Sequence, residues 1–284
     1  MMQGRLWRIG DRFFDLSRQG LIMGVLNVTP DSFSDGGQFF APEKAVERGL
    51  QMAAEGADII DVGGESTRPG AEPVPADEEL RRVIQVIRDL RTETDIPISI
   101  DTSKSEIARA AIEAGASIVN DVTGGRGDEQ MLPLIAESES AFVIMHMQGT
   151  PRTMQVQPRY QDVVSEIADF FRQQYARAIG SSIDPMAIAF DPGFGFGKTL
   201  EHNLKLLAQL ERVRAHDRPL VAGVSRKFFL GKIIGSADMN DRAAPAVALT
   251  ALLRARGADV LRVHEVKENV SALRVTEAIL RRAE

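Results

Sequence analysis

The 284-residue chain contains no cysteine, one tryptophan, two tyrosines and four histidines. Without cysteine there can be no disulfide, thiolate metal site or cysteine nucleophile, and the composition suits a reducing compartment. The chain therefore reads as cytoplasmic. It also lacks an excess of positive charge: 34 Lys+Arg face 40 Asp+Glu, a formal net charge of −6. Nucleic acid is then not an expected partner, because displacing counterions from phosphates takes clustered basic charge. No apolar stretch is long enough to span a bilayer. The first twenty residues, studded with Arg5, Arg8, Arg12 and Arg18, hold no continuous hydrophobic segment of the kind a secretory leader needs. No membrane partner is expected. No Pro/Ser-rich linker, low-complexity tract or charge block interrupts the chain, so one domain over residues 1–284 is expected.

What is present is an alternation of short β-branched runs with longer segments of helical spacing, the pattern of βα units on a parallel sheet. The runs are Leu21–Asn27, Asp58–Gly64, Ile96–Thr102, Ser117–Val122, Ala141–Met147, Met186–Asp191, Leu220–Ser225 and Val260–Val266, most of them nearly all apolar. Strands covered on both faces read this way. Helical candidates between them include Pro42–Ala54, Ala76–Thr92, Lys104–Glu113, Tyr160–Ile179, Leu200–Arg214 and Arg242–Arg256. Three end at Gly-Ala pairs, Gly56-Ala57, Gly115-Ala116 and Gly257-Ala258, where glycine can take the left-handed C′ position. Eight units over about 260 residues fit an α/β fold of the (β/α)8 TIM-barrel type better than a doubly wound sheet. Before the first unit, Leu6, Trp7 and Ile9, a Gly10-Asp11 turn, and Phe13, Phe14 and Leu16 predict an N-terminal β-hairpin capping one end of the barrel.

Such a barrel carries its active site at the C-terminal ends of its strands. Here the strands close on Asn27, Asp61, Asp101, Asn120 with Asp121, His146, Asp191, Ser225 with Arg226 and Lys227, and Arg262 with His264. Taken singly, Asp, Asn and Ser at such positions read equally well as caps of the following helices. Taken together they converge on one mouth. Asp101, Asn120 and Asp191 each follow an apolar run, so their side chains need partners. They suit a flat heterocycle rich in N–H donors, with Lys227 adding a donor to a ring carbonyl or nitrogen. A cationic group of Arg68, Arg262 and His264 suits an anion such as a phosphate.

Two motifs fail. Gly193–Thr199 ends like a phosphate-cradling P-loop, but Pro192 stands where its first glycine belongs, and Lys198 replaces the third glycine of a dinucleotide fingerprint. The histidines lack zinc spacing, so the expected metal is Mg2+ arriving with a phosphate, with Asn27 offering its amide oxygen. Two loops, Thr29–Gly37 and Gly63–Gly70, are longer than connection needs and read either as lids over the mouth or as solvated turns.

Eight segments in order, Val25–Gly37, Gly64–Ala71, Ser99–Lys104, Asn120–Gly124, Met145–Pro151, Asp191–Lys198, Val224–Lys227 and Arg262–His264, resemble the dihydropteroate synthase family across nearly the whole chain. The resemblance implies condensation of 6-hydroxymethyl-7,8-dihydropterin diphosphate with p-aminobenzoate to 7,8-dihydropteroate and diphosphate. It places Asp101, Asn120, Met145, Asp191 and Lys227 around the pterin. Asn27, Arg68, Arg262 and His264 would hold the diphosphate and Mg2+, with Asn27 the metal ligand. Phe33, Thr67, Pro69, Phe196 and Ser225, with Asp35, would line the p-aminobenzoate pocket, where sulfonamides compete. Lys227, Asp101 and Asp35 become the catalytic set, and reaction by ionisation of the pterin C–O bond before amine attack is implied. Members often pair through their last helices, so a homodimer is an expectation. Phe228 departs from the family where a serine can touch the p-aminobenzoate carboxylate, and Glu265 stands where Asp is commoner. A non-catalytic pterin-binding paralogue and a pterin-dependent methyltransferase are the alternatives.

Overall fold

Runs apolar on both faces are stable only where helices cover one side and other strands' side chains fill the other. A computed structural model describes residues 5–29, 42–68 and 70–282 and shows this arrangement. Strands β1 (Leu6–Ile9) and β2 (Arg12–Asp15) form an antiparallel hairpin. Then follow β3 (Leu21–Asn27), β4 (Ile59–Gly63), β5 (Ile98–Asp101), β6 (Ile118–Asp121), β7 (Ala141–Met145), β8 (Ile188–Asp191), β9 (Val221–Ala222) and β10 (Val260–Val263). These eight are parallel neighbours in the order β8-β7-β6-β5-β4-β3-β10-β9. A single bridge, Phe190 to Leu220, joins the last to the first, with the Phe190 N–H donating to the Pro219 carbonyl at 2.9 Å. The fold is a (β/α)8 barrel preceded by a hairpin.

The connecting helices are α1 (Pro42–Glu55), α2 (Ala76–Glu93), α3 (Ser105–Glu113), α4 (Met131–Ser138), α5 (Val163–Gly180), α6 (Leu200–Ala208), α7 (Phe228–Ile234), α8 (Ala243–Ala255) and α9 (Val266–Leu280). Two boundaries differ from the sequence reading for local reasons. Helix α5 starts at Val163, not Tyr160, because Asp162 caps it by accepting from the Val164 and Ser165 N–H groups. The expected Leu200–Arg214 helix breaks into α6 and a 3-10 turn, Leu210–Val213. The Gly-Ala pairs behave as expected: Gly115 has φ +115°, and a Cβ there would lie 2.6 Å from Arg91 Cγ.

The hairpin plugs the N-terminal end. Trp7, Ile9 and Leu16 are buried and pack with Leu21, Met23, Ile59, Ile118, Val143, Ala189, Val221 and Val260 inside the barrel. The Trp7 indole N–H donates to the Ala187 carbonyl at 3.0 Å, so its one polar atom is satisfied. Alternate residues of the same strands, such as Ile60, Val119, Phe190 and Leu261, point outward into the layer shared with the helices. Among the described residues no helix is long and apolar enough to cross a membrane.

Candidate active site

Period-two alternation fixes which polar residues enter the barrel. Ile59, Ile118, Ala189 and Val260 face the interior core, so the residues two positions on, Asp61, Asn120, Asp191 and Arg262, face inward one layer higher. Asp101 stands in the same layer on β5, two residues after the buried Ser99. A narrow cleft opens above this layer, lined among others by Asp101, Asn120, Met145, Asp191, Lys227 and Arg262. Thr67 and Phe196 also touch it.

Arg262 organises the floor. Its Nε donates to Asp61 Oδ2 and its Nη2 to Asp101 Oδ2, each at 2.6 Å. Its Nη1 has no hydrogen-bond partner among the described residues. The expectation grouped Arg262 with Arg68 and His264 for an anion; the structure shows in addition that two of its nitrogens are tied to the carboxylates of Asp61 and Asp101. Asn120 Nδ2 donates to the same Asp61 oxygen at 3.3 Å. That bond orients the amide, leaving Asn120 Oδ1 as the acceptor toward the cleft. Asp61 is fully buried, and neither Asp61 Oδ1 nor Asp101 Oδ1 has a hydrogen-bond partner among the described residues. Burial pushes the Asp101 carboxyl up to about 7 against the pull of Arg262, with the nearby Asp61 charge adding to the rise. Asp61 was noted in the sequence only as a strand end. Its position on the inward face of β4, two residues after an interior isoleucine, is the signal that marks its role.

Lys227 lies at the start of α7, with its Nζ 3.9 Å from the centre of the Phe196 ring. Burial and the Arg262 charge lower its pKa to about 7, opposed by Asp191 and Asp101. Asp191 Oδ1 accepts from the Gly193 N–H at 2.7 Å, and burial raises its carboxyl. The Gly-rich loop that failed as a nucleotide motif has a structural explanation. Gly193 (φ +65°) and Gly197 (φ +62°) press on the chain leaving β7, where a Cβ would meet the His146 and Gln148 carbonyl oxygens at 2.1 and 2.5 Å. Lys198 fastens this loop from below: its buried Nζ donates to the Phe196 carbonyl at 2.9 Å and lies 3.1 Å from His146 Nδ1. Burial lowers Lys198 to about 7. Burial and the Lys198 charge push His146 far down, so its ring is neutral and accepts from the ammonium. His146 is therefore a packing partner of the loop. Asp121, on the outward face, caps a turn by accepting from the Thr123 and Gly125 N–H groups.

On the far side Ser225 is committed internally. Its hydroxyl lies 2.9 Å from His264 Nδ1, receives the His264 N–H at 3.3 Å and donates to Glu265 Oε2 at 3.1 Å. Glu265 Oε1 also accepts from Arg226 Nε and Nη2 at 2.8 and 2.6 Å. Glu265, which stands where Asp is commoner in the family, thus joins the ends of β9 and β10. Burial and the charges of Arg226, Arg262, Lys227 and Arg68 hold His264 well below the imidazole range, which favours a neutral ring where the sequence reading grouped it with cations. Phe228 is 62% exposed and turns away from this cluster's interior.

At the rim, Asn27 ends β3 half-buried, Thr67 is half-buried and Arg68 is exposed. Phe33, Asp35 and Pro69 lie outside the described residues, as does most of the Thr29–Gly37 loop. Among the described residues no three carboxylate or imidazole groups gather into a metal site.

A cleft in which carboxylates, an amide and a lysine at the C-terminal mouth of a (β/α)8 barrel surround space for a flat ring defines a class of heterocycle-binding barrel enzymes. The profile of the pterin binding enzyme family matches residues 23–264, and the chain belongs to that family, among the dihydropteroate synthases. It is 43% identical to the dihydropteroate synthase of Synechocystis sp. over 96% of this chain and 94% of that one. It is 44% identical to that of Escherichia coli over 91% of both. It superposes on the Xanthomonas albilineans dihydropteroate synthase with 4-aminobenzoic acid at a TM-score of 0.91 and 44% identity, covering 98% of this chain and 99% of that one. A structure of the Xanthomonas albilineans protein in complex with 7,8-dihydropteroate matches at a TM-score of 0.86 and 41% identity, covering 97% and 98%.

Proposed function

We propose that the chain condenses 6-hydroxymethyl-7,8-dihydropterin diphosphate with p-aminobenzoate, releasing 7,8-dihydropteroate and diphosphate, as a transferase of folate synthesis working in the cytoplasm. The observation that carries the reading is the meeting of Asp101, Asn120, Asp191, Lys227 and Arg262 around one cleft. Asp101 and Asp191 accept from the ring's N–H groups, the oriented Asn120 Oδ1 accepts another, Lys227 donates, and Met145 packs on the ring face.

An arylamine is a weak nucleophile, so the site favours breaking the C–O bond to diphosphate first. The pterin methylene then carries positive charge delocalised into the ring, and the amine nitrogen adds to it, losing its proton to solvent or diphosphate. Buried carboxylates already held in place by Arg262 and backbone N–H groups stabilise that cation without reorganising. Arg68, the Nη1 of Arg262 and the neutral His264 receive the departing diphosphate. Asn27 would hold Mg2+: the site offers one neutral oxygen, which suits a cation that keeps water and phosphate oxygens as most of its ligands. When bound, Mg2+ neutralises charge on the leaving group. Thr67 and Phe196, with Phe33, Asp35 and Pro69, form the p-aminobenzoate pocket; Ser225 serves it through His264 and Glu265. The apolar face of Leu204, Ile233 and Leu252, each more than two-fifths exposed, is the surface through which two copies pair.

The test is to mix protein, pterin diphosphate, Mg2+ and p-aminobenzoate and measure diphosphate and dihydropteroate together. Equal amounts of both are expected. Diphosphate release without dihydropteroate would reduce the chain to a pterin diphosphatase.

A further inference from the structure

The segment after β4, from Gly64 to Pro75, carries Thr67 and Arg68, and both of its ends meet one ammonium. Lys104, immediately before α3, donates through Nζ to Glu65 Oε2 at 2.5 Å, to the Val74 carbonyl at 2.7 Å and to Glu79 Oε2 at 2.6 Å. Three acceptors use all three of its N–H bonds. The third is the fixed point. Glu79 lies in the first turn of α2, its side chain is 1% exposed, and its other oxygen accepts from Thr102 Oγ1 at 2.8 Å. Thr102 directly follows the cleft residue Asp101. Arg82 reinforces the near end by donating to the Gly64 carbonyl at 2.7 Å.

We infer that Lys104 is a positioning residue: it pins the entry and the exit of the Thr67-Arg68 segment to one buried carboxylate beside Asp101 and so sets where that segment meets the second substrate. This rests on the assignment of Thr67 to the p-aminobenzoate pocket. A charge-assisted hydrogen bond is among the stronger ones available to a half-exposed chain. Here one cation replaces two separate anchors, and the entropy of closing the segment is met at a single point.

Removing Lys104 itself strands the buried Glu79 charge and risks unfolding. The informative variant is therefore Glu65→Ala, which frees the entry end while keeping the Lys104 and Glu79 pair; the Glu65 side chain is 25% exposed, so no core cavity forms. Amide hydrogen exchange over residues 65–74 is expected to accelerate. KM for p-aminobenzoate is expected to rise about tenfold, equivalent to about 1.4 kcal/mol, with KM for pterin diphosphate and the melting temperature at wild-type values. Glu65→Gln, which keeps an acceptor, is expected to restore part of the loss. Unchanged exchange, a parallel rise in both KM values, or faster exchange with an unchanged KM for p-aminobenzoate each overturns the proposal. If the wild-type protein makes no dihydropteroate, the proposed function fails, while the exchange experiment on Glu65→Ala still decides whether the pin exists.

Discussion

The two ends of the barrel are built from the same strands and differ by one layer of inward side chains. At the N-terminal end these are Ile59, Ile118, Val143, Ala189 and Val260, sealed by Trp7, Ile9 and Leu16 from the hairpin. Two residues further along, β4, β6, β8 and β10 instead present Asp61, Asn120, Asp191 and Arg262. The lower layer gains stability by removing apolar area from water. The upper layer gives some back by burying charge, with Asp61 Oδ1, Ser99 Oγ and Asp101 Oδ1 left without partners among the described residues. Stability and chemistry are thus divided by height along each strand.

That division is sharpest if a change at one end leaves the other's property alone. Lys227→Ala carries the largest expected effect: turnover falls at least about 100-fold, the cost of losing one preorganised electrostatic donor. Its melting temperature does not drop, since the ammonium removed is one that burial already disfavours. A melting temperature well below wild type would mean Lys227 is structural. At the other end, Trp7→Ala should cost about 3–5 kcal/mol of stability, the range for emptying an aromatic site in a packed core. Both KM values should be unchanged in assays well below the transition; a shifted KM would show that the ends communicate.

The smallest effect is in pH. Lys198 has a folded pKa near 7 against 10.5 for the ordinary side chain. Between those values the unfolded chain holds a proton that the folded chain has lost, so stability rises with pH there, and Lys227 acts in the same direction. Lys198→Met should reduce, without abolishing, the increase in urea midpoint from pH 7 to 10. An unaltered slope would exclude Lys198 as its source.

Much of this was legible in the sequence, for identifiable reasons. A strand covered on both faces must be almost wholly apolar, so all eight barrel runs stood out, and the hairpin was marked by Trp7 and Ile9 flanking a Gly-Asp turn. Asp101, Asn120, Asp191 and Lys227 were visible as polar breaks at strand ends. What sequence did not supply was direction and partnership. Asp61 and Asp121 look alike as acids in apolar runs, yet one faces the barrel interior and pairs with Arg262 while the other caps a turn. The ties of Arg262 to Asp61 and Asp101 were not legible, because those contacts are made across the barrel between residues far apart in sequence. Strand β9 was expected over Leu220–Ser225 but spans only Val221–Ala222. A turn at Ser225 and the left-handed Arg226 (φ +57°) then precedes Lys227. Glu265, Lys104 and Lys198 hold segments far apart in sequence, and no spacing rule announces such links.

The junction of β8 and β9, closed by the Phe190 to Leu220 bridge, is the least laddered seam of the wall among the described residues. Beyond that bridge stand Asp191 on one side and Gly223 on the other, where a Cβ would lie 3.9 Å from Asp191 Oδ2 and 3.7 Å from the Arg262 stem. A ligand substituent directed at Gly223 meets bare backbone, where the neighbouring Asp191 and Arg262 present side chains. Medicinal chemistry on this molecule therefore has a preferred compass bearing.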